Sequence, residues 1–67
     1  MAKLIDCGER LRSLQNQHQV SSIMLAERLG ITPQQITRWR HSDNLKMHTI
    51  QQLCEGLGIK VSDFIGA

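Results

Sequence analysis

Polar side chains that can pair with nucleic-acid bases recur at helical spacing near the middle of the chain. Gln34, Arg38 and His41 stand at i, i+4 and i+7, so on a helix they project from one face. Glutamine can pair bidentately with adenine, and arginine with guanine, along the major groove of a DNA duplex. No Asp or Glu, which phosphates repel, occurs from Gly30 to Ser42. The spacing therefore predicts a helical face that is suited to reading base edges.

The apolar residues of the same stretch predict the helix that holds this face. Ile36 and Trp39 stand at i and i+3 and would point the opposite way, toward a core. Thr32 as N-cap, Pro33 at the first helical position and a glutamine three residues after the cap are signals of a helix start. We therefore predict a helix over 33–41 with its polar face turned outward.

A second predicted helix precedes it across a tight turn. Ser21 is the expected N-cap, and Gly30 follows the last helical residue, where glycine adopts a left-handed conformation without a Cβ penalty. The core-facing residues fall within about 100° of one helix face and are Leu25, Ala26 and Leu29. Ile23 and Met24 lie off this stripe. We expect them to pack under the end of the first helix, with a contact surface as the alternative.

The rest of the chain supplies three further predicted helices and completes an all-α fold. Asp6 and Glu9 match a capping box, and the first helix is expected to run to about Gln17. The other two helices are expected over 47–57 and 62–65. The start of the fourth helix is either Met47 or Ile50, since a capping-box pattern also occurs near the latter. The core-facing residues of these three helices are Cys7, Leu11, Leu14, Ile50, Leu53, Cys54, Leu57 and Phe64.

These patterns together resemble the helix-turn-helix of the lambda Cro and repressor family. The residues that carry the resemblance are Leu25-Ala26, Leu29-Gly30-Ile31, Ile36 and Trp39. The resemblance covers about 7–65 and implies a compact five-helix domain with its helix-turn-helix at about 22–41. The expected base contacts are Gln34 and Arg38, with Thr37 and Gln35 as secondary contacts. Pro33 departs from the family pattern, where a glutamine often reads a base, and this leaves more of the reading to the two main contacts.

The resemblance also implies which residues hold the domain on the sugar–phosphate backbone. In the family a side chain at the position of Ser22, usually glutamine, contacts a phosphate at the free N–H end of a helix. The loop after the third helix lies along the backbone, where its side chains can donate hydrogen bonds. The expected phosphate contacts are Ser22, Arg40, His41, Ser42, Asn44, Lys46 and His48.

The expected function is sequence-specific binding of double-stranded DNA by a transcriptional regulator, of the Cro-like or small phage or prophage repressor type. Because one helix reads few base pairs, we expect a homodimer on a two-fold symmetric operator with half-sites about 34 Å apart. The carboxyl end, with Phe64 and Ile65, is the expected dimer surface. We expect a single domain over 1–67, without a ligand-sensing or self-cleaving domain and without a small-molecule ligand. The alternative is a protein-interaction module, such as an antirepressor or antitoxin-like adaptor, anchored by Ile23 and Met24.

Other chemistries have little support in the sequence. No nucleophile, base and orienting group can be matched, and no glycine-rich phosphate loop occurs, so we expect neither an enzyme nor a cofactor. The three histidines and two cysteines lack zinc-site spacing, so no metal is expected. Without an apolar run of about 18 residues or a signal peptide, a cytoplasmic protein is expected. Cys7 and Cys54 would then be reduced, buried thiols, with a disulfide as the alternative.

The remaining features of the chain are less specific. The net charge of +2 over 67 residues is mildly basic and does not identify a partner. Arg10 and Arg12 are expected to be solvated or paired with Glu9 and other neighbours. The residues from Met1 to Ile5 are expected to form a short arm or the start of the first helix.

Overall fold

Five α-helices make up most of residues 6–65, the part of the chain that this computed structural model describes. They are α1 Cys7–His18, α2 Ser22–Leu29, α3 Pro33–Arg40, α4 Met47–Leu57 and α5 Val61–Ile65. The predicted all-α, five-helix fold is confirmed, and α2 and α3 form its helix-turn-helix. The arm or helix start expected over 1–5 lies outside the described residues.

Side-chain caps begin the first three helices where the sequence predicts them. Asp6, Ser21 and Thr32 each accept a hydrogen bond from the backbone N–H three residues later, at 3.0, 3.1 and 3.3 Å respectively. Each cap satisfies one of the N–H groups that a helix start leaves without an intrahelical partner. The fourth helix begins after Lys46 without a side-chain cap, and Thr49 is buried inside it. The alternative start near Ile50 is therefore wrong.

The helix ends differ more from the prediction. Gly30 and Gly58 have φ of 70° and 74°, the left-handed conformation predicted for the former and usual for a glycine after a helix. Gln19 adopts the same conformation with φ of 56° and ends α1, whose last residue is His18. The helix is therefore one residue longer than predicted. The third helix has no glycine stop, and His41 lies outside helical geometry at φ −105° and ψ 6°. The predicted helix 33–41 is therefore one residue too long.

Each helix contributes one completely buried side chain to a single hydrophobic core. These side chains are Leu11, Leu25, Ile36, Leu53 and Phe64, in chain order from α1 to α5. Trp39 is only partly buried and packs against the edge of this core. Burying one such aliphatic side chain stabilises the fold by about 1.5–3 kcal/mol. The inward face of α3 is thus fixed by Ile36, with the indole covering its border.

A glycine lets α1 pass very close to the end of α3. A Cβ added to Gly8 would lie 2.5 Å from the Arg40 carbonyl oxygen and 2.6 Å from that of Ser42. The Cys7 amide, one residue earlier, donates a hydrogen bond to the Asp43 carbonyl at 3.2 Å. The positive end of the α1 dipole therefore faces carbonyl groups that follow α3, which is a favourable arrangement.

The expected packing of Ile23 and Met24 is wrong, and Arg10 pairs with neighbours other than Glu9. Ile23 is 66% exposed and Met24 is 40% exposed, so they do not pack under the end of α1. Arg10 does not pair with Glu9. Its guanidinium donates to the Phe64 carbonyl at 2.8 Å through Nε and to the Asp63 carbonyl at 2.7 Å through Nη2. This arginine therefore ties α1 to α5.

Both cysteines are free and buried, so the disulfide alternative for Cys7 and Cys54 is wrong. Burial raises the pKa of the Cys54 thiol, and the negative charge of Asp63 raises it further. A low-dielectric environment disfavours the thiolate, so this thiol stays protonated and packs as a small apolar group. Among the described helices, none is both long and apolar enough to cross a membrane.

Candidate nucleic-acid interface

The outer face of α3 carries the side chains that the sequence predicts as base contacts. Gln34, Thr37 and Arg38 are exposed, whereas Gln35 is half-buried toward one flank. On the opposite side of the same helix Ile36 has no exposed surface. The predicted orientation of α3 is therefore found in the structure, with amide and guanidinium groups outward and the isoleucine inward.

The dimensions of α3 suit the major groove. Its eight residues span about 12 Å at a rise of 1.5 Å per residue. A helix with its side chains is about 10–12 Å across, which matches the width of about 12 Å of the major groove in B-form DNA. At about 3.4 Å per base pair, this length faces three to four base pairs.

Two rows of side chains run along the outer face. Gln34 and Arg38 form one row at i and i+4. The other consists of Pro33, Thr37 and His41, joined by hydrogen bonds to the backbone. The Thr37 hydroxyl donates to the Pro33 carbonyl at 3.2 Å, and His41 Nδ1 donates to the Thr37 carbonyl at 2.9 Å. The Thr37 hydroxyl and the His41 imidazole N–H are therefore hydrogen-bonded to backbone carbonyls of α3, while Gln34 and Arg38 face solvent.

A buried glutamine, which the sequence reasoning did not single out, connects the two predicted phosphate contacts nearest the helix-turn-helix. Gln15 is 4% exposed, and its Oε1 accepts a hydrogen bond from Arg40 Nη1 at 3.0 Å. Its Nε2 donates to the Val20 carbonyl at 3.1 Å and to Ser22 Oγ at 3.4 Å. Arg40 Nη1 also donates to Ser22 Oγ, at 3.2 Å. Three helices thus meet at one polar cluster, Gln15, Ser22 and Arg40.

This polar cluster lies at the amino end of α2. Ser22 is the first residue of α2, where backbone N–H groups are free and the helix dipole is positive. A surface hollow beside it is lined by residues of α1 and of the α1–α2 connection, together with Arg40. Arg12 lines the same hollow and is exposed. Two guanidinium groups and a helix start therefore share one surface that suits an anion.

Gln15 could have been found from the sequence by one signal. It stands at i+4 from Leu11 and directly after Leu14, so the helix turns it toward the buried face. A polar residue on that face requires hydrogen-bond partners. The partners themselves are seven and 25 residues away along the chain, and no local pattern identifies them.

The connection from α3 to α4 presents the other predicted phosphate contacts. Asn44 and Lys46 are exposed along it, as are His41 at its start and His48 in the first turn of α4. Ser42 is half-buried, and its hydroxyl donates to the Asn44 carbonyl at 3.0 Å. The structure thus brings these side chains to the connection after α3 and to the first turn of α4. The Ser42 hydroxyl proton is already directed within the connection.

Nothing in the described residues suggests a metal centre at this surface. Residues 6–65 contain no group of three or more His, Cys, Asp or Glu side chains that could hold a metal ion. The three histidines instead lie apart, at the end of α1, after α3 and in the first turn of α4. The arrangement offers hydrogen-bond donors and positive charge, which suit it to bind an anionic partner.

One comparison with known proteins identifies a family for this chain. A sequence model of the Cro/C1-type HTH DNA-binding domain matches residues 10–67. No curated protein is similar enough to this chain to count as a match. The matched region includes α2, α3 and the connection that follows them, with all the exposed side chains described above. The chain therefore belongs to the Cro/C1-type helix-turn-helix DNA-binding domain family.

Proposed function

We propose that this chain is a sequence-specific transcriptional regulator, of the Cro-like or small phage or prophage repressor type, that reads the major groove with α3. The observation that carries the proposal is the division of α3 into two faces. Gln34 and Arg38 are exposed while Ile36 is completely buried. The family is typically non-enzymatic, and binding alone is the proposed activity.

Direct base reading is assigned to the exposed outer face. Gln34 would pair with adenine and Arg38 with guanine, because each side chain offers two groups that match the base edge. Thr37 and Gln35 would make secondary contacts. The half-buried position of Gln35 limits it to the border of the groove.

Phosphate binding is assigned to the polar cluster and to the α3–α4 connection. Arg40 and Ser22 would hold one phosphate at the amino end of α2, and Gln15 would position them through the hydrogen bonds given above. Arg12, beside the same hollow, is a further candidate. On the connection and in the first turn of α4, the candidates are His41, Ser42, Asn44, Lys46 and His48. Such contacts set the register of the protein on the duplex and supply most of the affinity.

A homodimer on a two-fold symmetric operator is the proposed assembly. By its length, one α3 helix faces three to four base pairs. A sequence that short occurs many times in any genome. Two copies with half-sites about 34 Å apart double the sequence that is read. Phe64, which we expected to contribute to the dimer surface, is fully buried within the domain. Ile65, 41% exposed, is the remaining candidate at the carboxyl end.

Selection of bound sites from a random duplex library tests this proposal. We expect enrichment of one half-site in an inverted repeat, since a dimer would read the same bases twice. Arg38→Ala is expected to lose about 1–3 kcal/mol of discrimination at one base position while it keeps most of its binding to random DNA. Lys60→Ala is the matched control, because it also removes one positive charge but lies between α4 and α5. Equal losses on selected and random DNA would contradict the role of Arg38.

The exposed apolar pair on α2 supports a second candidate function. Ile23 and Met24 lie next to Ser22 and are well exposed, a pairing that suits a protein contact. The chain would then act as an antirepressor or antitoxin-like adaptor. Measurement of binding to random duplexes at several salt concentrations separates the two functions. Protein-only function predicts no salt-dependent DNA binding. The uncharged change Ile23→Gln would then weaken the protein contact and add no charge beside Ser22.

A further inference from the structure

The hydroxyl of Thr37 is occupied inside α3 although the residue lies on the exposed face. Thr37 Oγ1 donates its hydrogen bond to the Pro33 carbonyl at 3.2 Å. A threonine hydroxyl has a single proton, so that proton is not available to an acceptor on a base. The oxygen can still accept a hydrogen bond, and the γ-methyl is the apolar group that the side chain can offer to a partner in the groove.

The neighbour of Thr37 in the same row is also apolar. Pro33 stands one turn before it and is exposed, and a proline ring carries no side-chain donor or acceptor. Pro33 and Thr37 therefore form a short apolar strip beside the polar row of Gln34 and Arg38. The C5-methyl of thymine is the apolar feature in the major groove, and a threonine methyl is one of the groups that contact it.

We propose that Thr37, flanked by Pro33, selects thymine by methyl–methyl contact next to the bases read by Gln34 and Arg38. This inference rests on the proposed function, because it requires α3 to lie in the major groove. It assigns to Thr37 an apolar contact through its methyl group rather than a hydrogen bond through its hydroxyl.

Two substitutions separate the methyl from the hydroxyl. Thr37→Val keeps the γ-methyl and replaces the hydroxyl, whereas Thr37→Ser keeps the hydroxyl and removes the methyl. The three residues have similar helix propensities, so differences in α3 stability stay small. Melting temperatures of both variants provide the check on folding.

The DNA offers the matching change. In the selected half-site, each thymine is replaced in turn by deoxyuridine, which lacks only the C5-methyl. We expect one position at which the wild-type protein and Thr37→Val bind deoxyuridine roughly fourfold more weakly, the value for one buried methyl-sized group. Thr37→Ser is expected to bind thymine DNA more weakly by a similar factor and not to distinguish the two bases. The two changes then form a double-mutant cycle with a non-zero coupling.

Three outcomes would overturn the inference. Discrimination that survives in Thr37→Ser but is lost in Thr37→Val would show that the hydroxyl reads the base. Equal affinity of the wild-type protein for thymine and deoxyuridine at every position would overturn this inference and leave the proposed function intact. A wild-type protein that selects no site at all would overturn both.

Discussion

Single residues in the polar cluster combine structural and binding roles that substitutions can separate. Gln15 satisfies the Val20 carbonyl and the Ser22 hydroxyl from a buried position, while Arg40 adds positive charge at its edge. Removal of a buried hydrogen-bonding partner leaves the other groups without compensation. Loss of a surface charge instead changes how many counterions DNA releases on binding.

We expect Gln15→Leu to lower the free energy of unfolding by about 1–3 kcal/mol, because buried polar groups lose their donor and acceptor. Urea unfolding followed by circular dichroism measures this change. The matched control is Gln17→Leu on the exposed face of the same helix, which is expected to change stability by less than about 0.5 kcal/mol. Equal effects of the two substitutions would contradict a structural role for the hydrogen bonds of Gln15.

For Arg40→Gln we expect affinity for selected and random DNA to fall by the same factor, because phosphates carry no sequence information. The slope of log K against log salt concentration is expected to become shallower by about 0.9, the value for one phosphate contact. Fluorescence anisotropy over a salt series measures both quantities. An unchanged slope would remove Arg40 from the set of phosphate contacts.

The buried thiol of Cys54 predicts a loss of stability at high pH. Its pKa is raised in the folded protein, chiefly by burial, so the unfolded chain loses the thiol proton first. The resulting stabilisation is complete below the ordinary thiol pKa of about 8.5 and is lost as pH rises through the raised value. We expect Cys54→Ala to show a smaller decrease in unfolding free energy between neutral and strongly alkaline pH than the wild-type protein. Identical decreases in the two proteins would contradict the shift.

At the level of elements, the approach of α1 to the end of α3 is the most demanding contact. Gly8→Ala places a Cβ within 2.8 Å of three backbone atoms of Arg40 and Ser42, and backbone cannot rotate aside. We expect a loss of about 1–3 kcal/mol of stability from this overlap, although alanine has the better helix propensity. Ser13→Ala, at an exposed site of α1, is the control and is expected to be neutral or stabilising. A Gly8→Ala domain as stable as the wild-type protein would show that α1 can shift without cost.

The elements also show what could be predicted from the sequence and why. Caps such as Thr32 and stops such as Gly30 act within four residues, so their local patterns located α2 and the start of α3 correctly. Phe64 was placed in the core by its apolar character, although the same residue was also expected at a dimer surface. The inward turn of Ile36 followed from helical periodicity alone.

Contacts between distant parts of the chain could not be predicted. Arg10 bonds to carbonyls 53 and 54 residues later, and Arg40 bonds to a glutamine 25 residues earlier. No spacing rule predicts such a partner, because the identity of the partner depends on how the helices pack. For the same reason the sequence favoured packing of Ile23 and Met24, and their exposure was only the alternative interpretation. An apolar residue off the main stripe packs inward only if a neighbouring helix happens to cover it.

At the scale of the whole molecule, the net charge of +2 is too small to direct binding by itself. The distribution of charge matters more, because the segment 30–42 carries arginines and no acidic residue. The described fold is also small, with a Cα radius of gyration of 11.0 Å, and small domains bury a modest share of their surface. Association of two copies would add buried area and double the DNA contacts.

If two copies associate, the melting temperature is expected to rise with protein concentration, since mass action favours a folded dimer. Differential scanning fluorimetry over a hundredfold concentration range measures this, with sedimentation velocity as the independent measurement of mass. Ile65→Asp is expected to abolish the concentration dependence if the carboxyl end forms the contact. Ile23→Asp on α2 is the matched control. Loss of the concentration dependence in Ile23→Asp but not in Ile65→Asp would instead place the contact on α2.

The division of α3 into a buried and an exposed side affects how the DNA sequence that the protein recognises can evolve. Replacement of an exposed side chain such as Gln34 or Arg38 changes folding stability by no more than about 0.5 kcal/mol in the usual case. After gene duplication, one copy can therefore acquire substitutions on the exposed side that change its preferred operator, while its fold remains stable. Paralogues of this chain are expected to agree at Ile36 and to differ at its outward neighbours.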